Sequence, residues 1–463
     1  MTFRKLVRDD EMLVRTQAEL ASDLALRPFQ QFARRQASGG LLLLTCAVVA
    51  LAWANSPWEI AYGQLLHEPF GLSFGEHLLR FDLRHWINDG LMAVFFFAVG
   101  LEIKREFLVG ELAEARQAML PIAAAIGGMV VPALIYTAFN TGSEGAHGWG
   151  IPMATDIAFA LGALALLGAR IPVRLKVFLV ALAIVDDLGA LLIIAIFYTA
   201  SIDWGGIAVA AVFLAALFVA NRAGARHVPI YLALGAGLWY GLLISGLHAT
   251  LAGVLSALLV PARVRIVPGA LAQVIRRSAD AIEARVVNGS GRAMDPERFA
   301  AISVLGRTLD AANSPLQRFE HMVQPWVTFA ILPVFALFNA GTAINASAVL
   351  TLASPVPLGI IGGLVIGKPA GICVASWLAV KTGLATLPEG VSWRHVTGTA
   401  FLAGIGFTMA LFISGLAFPG TDLEREAKLG ILIGSLVSAA VGVAILLTTK
   451  RRANLDLDVE PPL

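Results

Sequence analysis

Long apolar runs dominate the chain, and their lengths predict its elements better than any alternation does. About twelve stretches reach or approach the roughly 20 residues that an α-helix needs to cross a bilayer. They lie near residues 38–55, 86–108, 118–138, 151–168, 173–199, 204–221, 228–246, 247–260, 322–341, 356–380, 396–417 and 428–448. The fourth and eighth are short, the eleventh is interrupted by Gly404 and Gly406, and the near contact of the seventh and eighth predicts a tight turn at Gly246. Two regions break the apolar pattern. Residues 55–85 are polar, and alternation around Gly71–Leu83 predicts a short extracellular hairpin. Residues 261–318 carry nine Arg and no Lys, with a helical pattern over Leu271–Arg285. Nothing in that insertion resembles a catalytic motif, and it reads as a solvated cytoplasmic loop near anionic lipid headgroups.

Composition sharpens this picture. The 463 residues are 57% hydrophobic and 14% charged, with a mean hydropathy of +0.76, whereas a soluble protein carries about a quarter charged residues. The expected fold class is therefore an all-α polytopic membrane protein, and a soluble enzyme is nearly excluded. A net charge of +2 gives no argument for nucleic acid. Cys46 and Cys373 lie inside apolar runs and supply neither a disulfide framework nor a zinc motif. The first 37 residues mix both signs of charge without an apolar core, so they read as a cytoplasmic tail rather than a signal peptide. A membrane domain over 38–450, holding the 261–318 insertion, and a second tail over 451–463 complete the expected organisation. With both termini cytoplasmic, 29 of the 34 Lys and Arg fall on that side and only Arg80, Arg84, Arg425 and Lys428 on the other. Lys368 belongs to neither side, because it sits within an apolar run.

The charges inside the apolar runs carry the chemistry. Asp186 is the fourteenth residue of the fifth run, Asp187 follows it, Asp156 lies in the fourth run and Lys368 in the tenth. A charge at the bilayer centre costs about 2.5–3.5 kcal/mol on insertion scales, so three carboxylates add about 8–10 kcal/mol. An internal ion pair that staples helices would account for Asp186 and Lys368. It would not account for three carboxylates against one ammonium. The excess must bind protons or a cation. A hard monovalent cation takes oxygen ligands, which carboxylates, a hydroxyl such as that of Thr155 and backbone carbonyls supply. Proton and metal then compete for the same oxygens, which is the chemistry of exchange. Neighbours on a helix point about 100° apart, so Asp186 and Asp187 can serve different partners, but spacing alone does not decide which.

Several motifs in register identify a resemblance. ATDIAFALG, AIVDDLGA 30 positions on, WINDGLMAVFFFAVGLEIKRE, SGLHATLAGV, ILPVFALFNAG, GLVIGKPAGI and AGIGFTMALFISGLAF resemble the NhaA family of sodium/proton antiporters, from about Ala37 to about Lys450. The resemblance implies twelve spans arranged as inverted repeats, with the fourth and eleventh discontinuous and their unwound segments crossing near the ion site. It implies Na+ binding at Asp187, Asp186 and Asp156, with Asp187 the principal ligand and Thr155 beside them. Asp156 is expected to offset exposed helix N-termini, and Lys368 to offset C-termini and pair with Asp186. The implied activity is electrogenic exchange of intracellular Na+ or Li+ for external protons, two protons per Na+, in the bacterial inner membrane, with no catalytic residue and no cofactor. A homodimer formed partly through a hairpin at 68–84 is also implied.

A second group lies where the second and ninth runs meet the cytoplasm. Glu102, Arg105 and Glu106 follow one, and Arg318, Glu320 and His321 precede the other. They read either as a solvated charge cluster or, by resemblance, as a pH-sensing funnel in which His321 titrates near neutrality. Gln317 stands where a family lysine is expected. His248 also matches a family histidine, while by itself it reads as a hydrogen-bonded packing residue. Other classes fit less well. An intramembrane aspartyl protease needs a Gly-x-Gly-Asp string and a prenyltransferase needs DDxxD, and the sequence has neither. A sodium symporter or cation channel would keep the same carboxylates with different coupling.

Overall fold

The computed structural model describes residues 38–74, 77–199, 202–262, 273, 276, 314–344 and 350–449. The tails expected at 1–37 and 451–463, and nearly all of the insertion with its expected helix over 271–285, lie outside the described residues. What is described is helical apart from one hairpin. In chain order the elements are α1 (Ser38–Ala54) and α2 (Glu59–His67), then strands β1 (Pro69–Phe74) and β2 (His77–Asp82), then α3 (Leu83–Val109) and α4 (Ala115–Asn140). A 3₁₀ helix over Glu144–Met153 leads into α5 (Ile157–Leu166). There follow α6 (Val173–Phe197), α7 (Trp204–Arg222), α8 (Val228–Ser245), α9 (Leu251–Leu259), α10 (Pro315–Asn339) and α11 (Pro355–Lys381). The chain continues with α12 (Trp393–Ala403), α13 (Phe407–Ala417) and α14 (Asp422–Leu447).

Lipid offers no partner for backbone groups, so spans must satisfy their hydrogen bonds internally, and helices do so. Among the described residues, eight helices are long and apolar enough to cross a membrane, or up to eleven if each of three bent pairs is one span. The pairs are α1 with α2, bent by 114°, the 3₁₀ helix with α5, bent by 42°, and α12 with α13, bent by 43°. The chain is thus an all-α polytopic membrane protein with broken fourth and eleventh spans. Two expected boundaries move. The fourth span begins at Glu144 rather than near residue 151, because a glycine-rich segment without an apolar period winds into the 3₁₀ helix. The eighth stretch holds only the nine residues of α9, about 13 Å of helix at 1.5 Å per residue. The turn before it is where the sequence places it: Gly246 takes φ +79°, a left-handed conformation that suits glycine.

The expected hairpin is present, with β1 antiparallel to β2 and Pro69 opposite Asp82. Contacts divide the described chain into two units, one holding residues up to Leu66, Ala115–Ala190 and everything from Leu332, the other His67–Glu114 and Leu191–Ile331. Within the first unit α4 packs along α11. Their backbones touch at Gly127 and Gly371, where a Cβ on either would stand 2.2 or 2.0 Å from the other's carbonyl oxygen. Small residues permit such close approach between membrane helices, where no hydrophobic drive separates helix from lipid. Within the second unit α9 packs on α3 by the same device, with Gly100 against Val254 and Ala257, and Gly253 against Ala93 and Phe97. Three π-helical segments, Trp86–Leu91, Val327–Ile331 and Gly363–Gly367, interrupt α3, α10 and α11. The last ends directly at Lys368, and such bulges often accompany functional residues.

Candidate ion-binding site

Each broken span exposes helix ends that an unbroken span would not have. A helix terminus leaves backbone donors or acceptors without intrahelical partners, and these ends carry partial charge, positive at N-termini and negative at C-termini. The first break runs through residues 154–156, extended at Ala154 and Asp156, and the second is a turn over 404–406. Gly406 allows the two to meet: a Cβ there would lie 3.1 Å from the Ala154 carbonyl oxygen.

Asp156 joins the breaks. It is the N-cap of α5, its Oδ1 accepting the Phe159 N–H at 3.0 Å. Its Oδ2 accepts the Thr408 N–H at 3.0 Å and the Thr408 hydroxyl, so the same carboxylate also serves the first turn of α13. Its own N–H donates to the Ile405 carbonyl at 2.6 Å. At the start of α13 the Phe407 N–H donates to Ser435 Oγ of α14 at 3.2 Å. The C-terminal ends are met by donors. The Thr155 hydroxyl donates to the Ala403 carbonyl at the end of α12, at 2.8 Å. Lys368 Nζ donates to the Met153 carbonyl at the end of the 3₁₀ helix. A carboxylate therefore sits on two positive ends and an ammonium on one negative end.

Lys368 also carries α6 into the site, pairing with Asp186 Oδ2 at 2.6 Å. Thr155 lies beside the same carboxylate, and Asp187 interacts electrostatically with Lys368. All four charges are deeply buried: Lys368 is 0% exposed, Asp186 and Asp187 1%, and Asp156 2%. Three carboxylates and one ammonium thus share an interior that also offers a hydroxyl and several carbonyls, the donor set of a hard monovalent cation. Among the described residues no cluster of three or more His, Cys, Asp and Glu has the arrangement of a metal centre. The sequence missed Thr408 and Ser435, since hydroxyls in apolar runs are common. It also could not reveal the Met153, Ala403 and Ile405 carbonyls, because a backbone oxygen leaves no mark in residue type.

Residues 30–446 match the family described as Na+/H+ antiporter 1. The chain belongs to this antiporter family. Relatives over nearly the whole length agree. A protein of Acidithiobacillus ferrooxidans named Na(+)/H(+) antiporter NhaA is 50% identical over 431 residues, covering 92% of this chain and 98% of the relative. Another of that name, from Oleidesulfovibrio alaskensis, is 49% identical over 424 residues, 92% of this chain and 94% of the relative. One from Syntrophotalea carbinolica, named Na(+)/H(+) antiporter NhaA 2, is 49% identical over 422 residues, 91% and 96%. This membership makes the chain a transporter rather than an enzyme.

The antiporter's second charged group gathers around Arg105. Its guanidinium meets Glu106 at 2.9 Å, Glu102 at 3.8 Å and Glu320 in a closer contact. Glu106 also accepts the Glu111 N–H at 3.1 Å, and His321, on the exposed side of α10, interacts electrostatically with Glu320. Arg318 is half-buried, and its Nε makes no hydrogen bond. Gln317 acts locally. With Ser314 it forms a capping box that starts α10, Ser314 Oγ accepting the Gln317 N–H at 3.2 Å and Gln317 Oε1 accepting the Ser314 N–H at 3.2 Å. His248 Nε2 lies 2.9 Å from the Tyr198 carbonyl oxygen, a hydrogen bond within the second unit.

Proposed function

We propose that the chain exchanges intracellular Na+, or Li+, for external protons, two protons per Na+, contributing to pH and sodium homeostasis. The observation that carries this reading is the count and placement of buried charge, three carboxylates against one ammonium at the meeting of two broken spans. Asp187 is the principal ligand, with Asp156 and Thr155 from the first break. The Thr155 hydroxyl gives its proton to Ala403, so its lone pairs are left to face a cation. Asp186 is the carboxylate next to Lys368, and that ammonium steadies it while the site changes its load. Protons and cation compete for the same oxygens, so loading with one expels the other. If two protons leave per Na+, each cycle moves one net charge and responds to voltage, worth about 2.3 kcal/mol per charge per 100 mV.

The protein works in the bacterial inner membrane with both termini cytoplasmic, as the distribution of Lys and Arg supports. It functions as a homodimer, to which the β1–β2 hairpin, a two-stranded sheet with open edges, contributes. Glu102, Arg105, Glu106, Arg318, Glu320, His321 and His248 set its response to pH. Everted vesicles carrying an imposed proton gradient test the exchange. Addition of Na+ or Li+ dissipates the gradient in the wild type and fails to do so in Asp187→Asn. A wild type that ignores both ions contradicts the reading.

A further inference from the structure

The π segment of α11 leaves one carbonyl without a donor from its own helix. In a regular α-helix the Lys368 N–H would donate to Leu364, four residues earlier, and in a π turn a carbonyl is served from five residues on. Here the Lys368 N–H donates to the Gly363 carbonyl instead. The residue five on from Leu364 is Pro369, which has no N–H to give. Neither donor that a helix could offer therefore serves the Leu364 carbonyl, although Leu364 is buried and a buried carbonyl needs a partner. The donor comes from another helix, as the Ser438 hydroxyl of α14 reaches that oxygen at 3.1 Å. Ser438 is itself fully buried. A helical serine often bonds a carbonyl of its own preceding turn, as Ser414 does with Leu411, but Ser438 points across to α11. The second break closes on the same point. A Cβ at Gly404 would stand 2.5 Å from the Leu364 oxygen and 2.7 Å from Ser438 Oγ.

We propose that Ser438 is a positioning residue for Lys368: its hydroxyl supplies the donor that the π segment and Pro369 deny the Leu364 carbonyl, and so holds the helix register that aims the ammonium at Asp186 and Met153. Successive helical positions point about 100° apart, so a change of register just before Lys368 swings its side chain away from both partners. With the hydroxyl in place the π segment is satisfied, and Lys368 stays on the Asp186 carboxylate and the Met153 carbonyl. Without it, the Leu364 oxygen draws the Lys368 N–H back, the π turn is undone and the ammonium loses its aim. Ser438 acts through the backbone of α11. Because Gly404 abuts the same oxygen, the contact also holds the helix that carries Lys368 against the second break.

The part played in transport rests on the exchange reading, so the first readout needs no transport. It is the structure of purified Ser438→Ala, solved beside wild type by crystallography or electron cryomicroscopy. Lys368 Nζ is expected to lie out of hydrogen-bond reach of Asp186, with residues 363–367 no longer π-helical. Vesicle exchange per inserted protein is measured in parallel, as maximal rate and apparent KM for Na+. Leaving one buried carbonyl without a donor disfavours the aimed register about tenfold, so the maximal rate of Ser438→Ala is expected to fall about tenfold. Its KM is expected to stay within about twofold of wild type, because Asp187, Asp156 and Thr155 keep their places. Pro369→Ala supplies an N–H five residues on from Leu364, so Ser438→Ala combined with Pro369→Ala is expected to regain the rate of Pro369→Ala alone. Loosened packing at residue 438 predicts no such rescue. If Ser438→Ala does not insert, Ser438→Cys, whose thiol is a weak donor, serves the same test. A Ser438→Ala structure with Lys368 still paired to Asp186 overturns the proposal, and so does a loss of rate that Pro369→Ala leaves unrestored. A displaced Lys368 beside a wild type that exchanges nothing upholds the role of Ser438 and sinks the exchange reading instead.

Discussion

Lys368 is a buried ammonium that both a carboxylate and a helix end answer, Asp186 at 2.6 Å and the Met153 carbonyl. Removing one member of a buried pair leaves an uncompensated charge and costs about 3–5 kcal/mol. Lys368→Ala should therefore unfold at a markedly lower temperature in detergent, and Asp186→Asn in the same chain should recover most of the loss. If Lys368 only balances charge, exchange should survive in the single variant with altered pH dependence, measured in vesicles. Complete loss in a well-folded protein would make the lysine an obligatory proton carrier. At this scale the sequence is informative wherever a charge interrupts an apolar run, as Asp156, Asp186, Asp187 and Lys368 all do. It is silent on Thr408, whose type is unremarkable among apolar neighbours. At Gln317, where the family resemblance expects a lysine, the helix start uses an S-x-x-Q capping pair.

Among the elements, the broken spans are stable because each exposed end finds a partner of the opposite sign, and the intact spans because glycine lets their backbones meet. The Gly127–Gly371 crossing tests the second point. A Cβ at residue 371 would lie 2.0 Å from a backbone oxygen that cannot swing aside, so Gly371→Val should cost about 3 kcal/mol, read as a fall in thermal midpoint. Gly63→Ala, where a Cβ meets nothing within 4 Å, is the matched control and should not lower the midpoint. At the start of α10, Ser314→Ala should cost about 1 kcal/mol through loss of the cap. Run length made the long helices legible, and Gly404 and Gly406 marked the second break. The start of the fourth span was not legible, because the 3₁₀ helix over Glu144–Met153 follows no apolar period, and the π segments leave no residue signature.

For the whole molecule, positive charge sets orientation and buried negative charge sets function, and the two are separable. Deleting 265–312 removes much of the Arg-rich insertion and is expected to leave membrane assembly and exchange in place, by fractionation and vesicle assay. A correctly inserted but inactive deletion would give that segment a necessary part in transport. The family and the spans follow from patterns spread over the whole length, whereas the meeting of the two breaks depends on contacts between residues some 250 positions apart, such as Asp156 with Thr408. The most direct measurement is calorimetric titration of purified protein with Na+ in buffers of different ionisation enthalpy, which counts protons released per ion bound. Release rising toward two protons per Na+ as the pH falls into the range where the site is loaded with protons is the predicted result. Sodium uptake without proton release at any pH would contradict the account.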